Sequence, residues 1–265
     1  MMPFIHLGPI LIPTFGLMVA VAMLVAYYLL RADLARRGLA PKDSSVGEML
    51  VAIPCLAGIV GAKLYHVLET PRELFADPAG QLLSRYGLAW FGGLIAGFAA
   101  FVWIARRNKI PLLDAFDAGS AAAALGYGVG RIGCLVSGDG DYGIPTSLPW
   151  GMSFPHGLVP TTERVHPTPI YEFVVACAIA WLLWRMGARQ MTAARGNAAR
   201  RLASGGVFAA YLVLTGMARF LVEFIRINPR SFLGMTNAQT ASAVSIVAGV
   251  ALWWWVSRRE AAPSS

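Results

Sequence analysis

The chain has 265 residues; 57% are apolar and only 14% charged, with a mean hydropathy of +0.58, where soluble domains run at roughly 45–50% and about 25%. That excludes a soluble enzyme, a coiled coil and a disordered chain. The formal net charge of +8 does not indicate nucleic acid, because the basic residues cluster in short connectors between apolar runs, as in membrane proteins whose loops are sorted by side.

The first apolar run, Ile5 to Leu30, holds no Lys, Arg, Asp or Glu, and its first basic residue, Arg31, follows it. A cleavable signal would open with a basic region, so the run reads as a permanent first span. A second span is expected at about 46–68, with Glu48 near one end and Lys63 near the other, and a third from Tyr86 to Ala105. The fourth, about 111–136, carries Asp117 and Arg131; the fifth runs from Pro169 to about Trp184 and the sixth from about Gly205 to Phe224. Ser231 to Ser257 is the last and is uncharged. Each run approaches the length of about 20 residues that crosses a bilayer as a helix. Barrel strands would show short alternating segments instead. The expected fold is all-α and polytopic: one transmembrane domain over 1–265 with seven helices. The connector 137–168, rich in Gly, Pro and Trp, forms a small extracytoplasmic capping element. Cys55, Cys134 and Cys177 show no paired spacing.

Counting Lys and Arg in alternate connectors gives the orientation. One side holds fourteen: Arg31, Arg36, Arg37, Lys42, Arg106, Arg107, Lys109, Arg185, Arg189, Arg195, Arg200, Arg201, Arg258 and Arg259. The other holds Arg72, Arg85, Arg164, Arg226 and Arg230. The richer side is cytoplasmic, which puts the N-terminus outside and the C-terminus inside. Lys63, Arg131 and Arg219 then remain within spans, all in their outer thirds, level with Trp90, Phe91, Gly92 and Gly93.

Cations inside a membrane need partners. One reading is internal pairing, since Arg219 and Glu223 stand at i and i+4 and Glu69, Glu172, Asp139 and Asp141 belong to the same layer. The other is an anion site for a lipid headgroup, because guanidinium matches phosphate in a bidentate way. Both hold together if the carboxylates orient the arginines. Gly126, Gly128, Gly130 and Gly133 around Arg131, and Gly92, Gly93 and Gly97, let helices approach closely or admit a ligand. Gly128 to Gly133 formally matches GxGxxG, but no βαβ unit surrounds it. His6, His66, His156 and His166 are scattered, so no metal is expected, and no cofactor. Trp253, Trp254 and Trp255 read as an interfacial anchor.

Gly130-Arg131-Ile132-Gly133, followed by a Gly/Asp-rich outward segment, resembles the signature of bacterial prolipoprotein diacylglyceryl transferases. Further motifs follow in family order: Phe15-Gly16-Leu17-Met18, Gly61-Ala62-Lys63-Leu64, Phe91-Gly92-Gly93-Leu94-Ile95, His166 through Glu172, and Arg219 through Arg226; Asp117 falls where the family usually has an acid. The resemblance covers nearly the whole chain. It implies an inner-membrane enzyme that moves the diacylglyceryl group of phosphatidylglycerol onto the lipobox cysteine of a prolipoprotein signal peptide, forming a thioether and releasing glycerol phosphate outside the cytoplasm. Arg131 and Arg219 match the family's essential arginines, which implies phosphate binding and leaving-group stabilisation. Lys63, His66, Gly92, Gly93, Gly130, Gly133, Asp139, His166, Glu172, Glu223 and Arg226 are the expected substrate-binding residues. The chain departs from the family at Phe91, where His is usual, at Cys134, where Asn is usual, and at Phe15, often Tyr. The usual general base is thus absent: either the arginines suffice to ionise the thiol, or another group serves, with His66 and Asp139 the first candidates. The alternatives are a divergent paralogue with another acceptor, or a non-enzymatic binder or transporter of anionic lipid. Asp117, deeper in its span, is the feature a transport path would use.

Overall fold

A computed structural model describes residues 1–8, 10–40, 44–83, 89–196, 203–232 and 234–261. The chain opens with a hairpin of β1 (Phe4–Leu7) and β2 (Ile10–Pro13), then α1 (Thr14–Arg36). The first apolar run therefore does not begin as helix. Gly8 turns the chain at φ 61°, a conformation glycine adopts without strain. Pro13, which lacks an N–H, stands just before the helix begins, and Thr14 ties back to Pro3 by its amide (3.0 Å) and hydroxyl (2.9 Å).

Helices α2 (Val46–Glu69), α3 (Pro71–Ala76), α4 (Pro78–Leu83), α5 (Trp90–Arg107) and α6 (Leu112–Ser137) follow. A short hairpin of β3 (Met152–Phe154) and β4 (Thr161–Val165) lies between α6 and α7 (Thr168–Gly196). Helix α8 (Gly206–Val222) runs into a 3-10 turn over Glu223–Ile225. Strands β5 (Arg230–Phe232) and β6 (Met235–Thr236) then lead into α9 (Asn237–Ala261).

Among the described residues, α1, α2, α6, α7, α8 and α9 are long and apolar enough to cross a membrane, the eighth with its 3-10 extension. Thus the chain is a helical, polytopic membrane protein. Helix α5, the expected third span, has 18 residues, the last two being arginines. Its expected start at Tyr86, and the connector residues Lys42, Arg85, Arg200 and Arg201, lie outside the described residues.

The chain divides into two compact units, Leu34–Ala115 and the remainder. In the unit Leu34–Ala115, α2 and α5 pack antiparallel on their glycines. A Cβ on Gly61 would lie 2.3 Å from the Cβ of Ala96 and 2.6 Å from the carbonyl oxygen of Gly92, and one on Gly93 would lie 3.2 Å from that of Gly58. Small residues permit this approach where lipid supplies no hydrophobic drive between helices.

The other unit alternates direction. Gly126 and Gly133 of α6 meet Ala26 and Met18 of α1, so those two are antiparallel. Gly128 of α6 meets Ala176 of α7, and Gly216 and Gly249 lock α8 against α9, again antiparallel. Its core joins Ala121 and Ala124 of α6 to Ile179, Ala180 and Leu183 of α7 and Val207 and Ala210 of α8. Helices α1, α7 and α9 therefore share one direction, and α6 and α8 the other.

Candidate active site

At the C-terminal end of α6, helical spacing puts Tyr127, Gly130, Arg131 and Cys134 on one face. Gly138 ends the helix at φ 59°, its amide bonded to the carbonyl of Cys134 (2.9 Å), as a left-handed C-terminal cap does. The following segment is pinned on two sides. The Gly143 amide reaches the carbonyl of His166 (2.9 Å), and the Ile144 amide that of Ile225 (2.8 Å). Only glycine fits at 143, since a Cβ there would lie 2.4 Å from the Ile225 oxygen. Thr168, at the start of α7, donates its hydroxyl to the Asp141 carbonyl (2.6 Å). Behind this segment Tyr142, Phe154 and Val165 make a small apolar core under the β3–β4 hairpin.

These constraints bring three arginines and three carboxylates together. Glu172, in the first turns of α7, is the hub. Its Oε1 accepts from Arg219 (2.8 Å) and from the Tyr127 hydroxyl, while Oε2 meets Arg131 (2.7 Å) and Arg226 (3.4 Å). Asp141 pairs with both Arg131 and Arg226. Glu223 takes Arg219 at 3.1 Å and Arg226 at 3.6 Å, and its other oxygen accepts from Asn228. Arg131, Glu172, Glu223 and Arg226 are all buried. Arg219 is the open member, with 28% of its side chain exposed against 10% for Arg131 and 4% for Arg226. Of the two readings of the intramembrane arginines, internal pairing holds for Arg131 and Arg219 through Glu172, Glu223 and Asp141, without Glu69 or Asp139 among the ion pairs of the described residues.

The pairing fixes the strength of the site. Removing one member of a buried ion pair strands the other at a cost of roughly 3–5 kcal/mol. Asp141 illustrates the balance. Its partial burial favours the neutral form, but Arg131 and Arg226 outweigh that and hold its carboxyl near pKa 2. Asp139, two residues earlier, behaves oppositely. Burial raises its pKa above the ordinary carboxylate value, opposed by a hydrogen bond with Cys134 and reinforced by the charge of Asp141. Two neighbouring carboxyls are therefore shifted in opposite directions. The Cys134 sulfur lies 3.2 Å from an Arg131 nitrogen, and the Nε of Arg131 is buried with no acceptor among the described residues.

Cys134, Asp139 and Asp141 also bring one ligand atom each within 4.8 Å of one another. Two arginines already occupy Asp141, which makes the group a poor cation site.

Of the expected site residues, Arg131, Arg219, Glu172, Glu223 and Arg226 meet directly, and Asp139 adjoins them through Asp141 and Cys134. A Cβ on Gly130 would meet nothing within 4 Å, whereas Gly133 packs on Met18 and Phe15. His166 pins the 143–144 backbone and approaches the Tyr171 hydroxyl at 3.3 Å, without an ion pair among the described residues. Lys63, His66, Gly92 and Gly93 belong to the unit Leu34–Ala115, where the two cationic or titratable side chains are half-buried and the glycines serve the packing of α2 on α5. Tyr127 is not among the expected site residues, and Asp141 is expected only as a pairing partner in the same layer. Tyr127 is four residues before Arg131, one helical turn, and that spacing is the signal that finds it.

The family model for prolipoprotein diacylglyceryl transferases matches residues 3–255. The chain belongs to that family. A relative from Geobacter sulfurreducens, named phosphatidylglycerol–prolipoprotein diacylglyceryl transferase, is 31% identical over 275 residues, covering 98% of this chain and 96% of its own. One of the same name from Leptospira interrogans is 30% identical over 259 residues, covering 85% and 77%. Another from Corynebacterium glutamicum is 27% identical over 273 residues, covering 96% and 82%. This family member is a transferase whose arginine-bearing motifs coincide with the buried network.

Proposed function

We propose that this transferase takes phosphatidylglycerol as donor and the lipobox cysteine of a prolipoprotein as acceptor. The observation that carries the reading is the convergence of three arginines on Glu172, next to a carboxyl with raised proton affinity. In this reading α5 is the third of seven spans, and the Lys/Arg-rich connectors are cytoplasmic, which would leave the N-terminus outside and the C-terminus inside. The ion network then lies toward the outer face of the inner membrane, under the 137–168 segment as a cap.

In this scheme the phosphodiester first meets Arg219, the most exposed of the three guanidiniums. Glu172 and Glu223 hold that arginine in place, so its fork is oriented before the lipid arrives. The Nε of Arg131 gains an acceptor from an anion without giving one up. Asp139 takes the proton of the incoming thiol. The thiolate attacks the glycerol carbon, the C–O bond to phosphate breaks, and the electron pair leaves with the glycerol phosphate. Arg131 and Arg219 stabilise the charge that grows on the departing phosphate, the usual largest contribution of fixed donors to such a step. His166, which pins the 143–144 backbone, completes the binding residues of this unit in this reading. Asp117 does not favour a transporter, because its carboxylate accepts from the amides of Gly205 (2.9 Å) and Phe208 (2.8 Å) and from Gln190 (3.0 Å).

The test uses purified protein, phosphatidylglycerol and a lipobox peptide. Mass spectrometry is expected to find the peptide heavier by one diacylglyceryl group, with glycerol phosphate released one for one. A peptide with serine for the cysteine gains nothing. Tight binding of phosphatidylglycerol without product would instead identify a binder.

A further inference from the structure

At the ends of α1, α7 and α9 away from the ion network, arginines stand one turn beyond aromatic rings. The Arg185 guanidinium carbon lies 5.0 Å from the Trp181 ring centre, that of Arg258 3.9 Å from Trp254, and that of Arg259 3.7 Å from Trp255. Arg31 lies 6.0 Å from Tyr27 and donates to its hydroxyl (3.3 Å). Every pair is spaced i, i+4. Because α1, α7 and α9 share a direction, the pairs gather at one end of their unit. Arg185 is 13 residues beyond Glu172 on α7, about 20 Å at 1.5 Å per residue. In the other unit, taken alone, Arg107 repeats the arrangement on Trp103 at 5.5 Å.

Orientation by positive loops and anchoring by aromatic rings account for the residue types alone. The stacking adds something. Trp181, Trp254 and Trp255 are 60%, 56% and 39% exposed, so their rings face the lipid rather than the bundle. A ring within 5.0 Å of each guanidinium carbon holds the cation at the ring's depth without using its N–H donors. Among the described side chains, Arg185, Arg258 and Arg259 have no carboxylate partner. A flat fork held at the headgroup level matches two phosphate oxygens at once.

We infer that these stacked arginines form a binding surface for anionic phospholipid headgroups in the leaflet opposite the ion network. The surface is separate from the transfer site and does not deliver donor lipid to it. It retains anionic lipid around the bundle and fixes the depth of α7 and α9.

The test is electron spin resonance of the full chain in phosphatidylcholine vesicles, with spin-labelled phosphatidylserine compared with spin-labelled phosphatidylcholine. Wild type is expected to immobilise the anionic label roughly 3- to 10-fold more strongly, with the preference falling as salt rises. The triple variant Arg185→Gln, Arg258→Gln, Arg259→Gln is expected to lose most of that preference and to keep its transfer rate in detergent. No preference in wild type, or one the triple variant keeps, overturns the proposal. A lysine triple retaining the full preference overturns the stacked-fork geometry, since bare charge would then suffice. If the glutamine triple does not fold, Arg185→Gln alone gives the same reading at smaller amplitude.

Discussion

Asp139 and Asp141 stand two residues apart and have opposite proton affinities, because only Asp141 is held by two guanidiniums. If Asp139 accepts the thiol proton, activity rises with pH through its raised pKa, since the base must be unprotonated. Asp139→Asn is expected to lower kcat by about 100-fold or more and to erase that acid limb, while Asp139→Glu keeps part of both. An unchanged pH–rate profile in the asparagine variant would remove Asp139 from the reaction. For Asp141 the sign runs the other way. Its folded pKa, about 2, lies below the ordinary 3.8, so its stabilising contribution is complete above 3.8 and is lost as pH falls toward 2. Thermal melts across that window should show a decline that Asp141→Asn reduces. Arg131 and Arg219 were legible in the sequence as cations inside spans. Their partners were legible only as a layer, because which carboxylate meets which guanidinium depends on helix rotation. Tyr127 escaped for a related reason: an aromatic on an apolar helix looks like core until its hydroxyl is placed on Glu172.

At the scale of elements, helix direction explains why a carboxylate sits deep in α6. Asp117 is fully buried, yet it accepts from two amides at the start of α8. Those amides have no partner within their own helix, and an anion there also complements the helix dipole. Asp117→Ala is expected to lower the melting temperature by several degrees and to reduce activity only through lost folded protein, because the residue is remote from Glu172. A variant of normal stability with abolished turnover would instead give Asp117 a part in the chemistry. Most span boundaries were readable from apolar length and charge. The exceptions are the ends. Strands β1 and β2 pair because Gly8 turns and Pro13 precludes helix continuity, the last span expected from Ser231 begins as β5 and β6 with helix only from Asn237, and α7 continues past Trp184 as far as Gly196. A hydropathy run reports lipid contact, and a helix that projects beyond the bilayer has no reason to stop where the run does.

For the whole molecule, apolar content and basic connectors were enough to recognise a polytopic helical protein, and joint motif order was enough to recognise its family. The division of labour within the network was not legible. Glu172 and Glu223 are nearly inaccessible and hold the arginines in place, while Arg219 keeps an exposed edge. Arg131→Ala confuses the two roles by taking a buried guanidinium from both Glu172 and Asp141, so the more exposed Arg219 is the informative position. The decisive measurement is the initial transfer rate of Arg219→Ala against phosphatidylglycerol concentration, with its thermal melt recorded beside it. A guanidinium that grips the leaving phosphate predicts a loss of about 100-fold or more in kcat/KM, with a folded, cooperative melt. Turnover within about 3-fold of wild type in an equally stable variant would contradict that account.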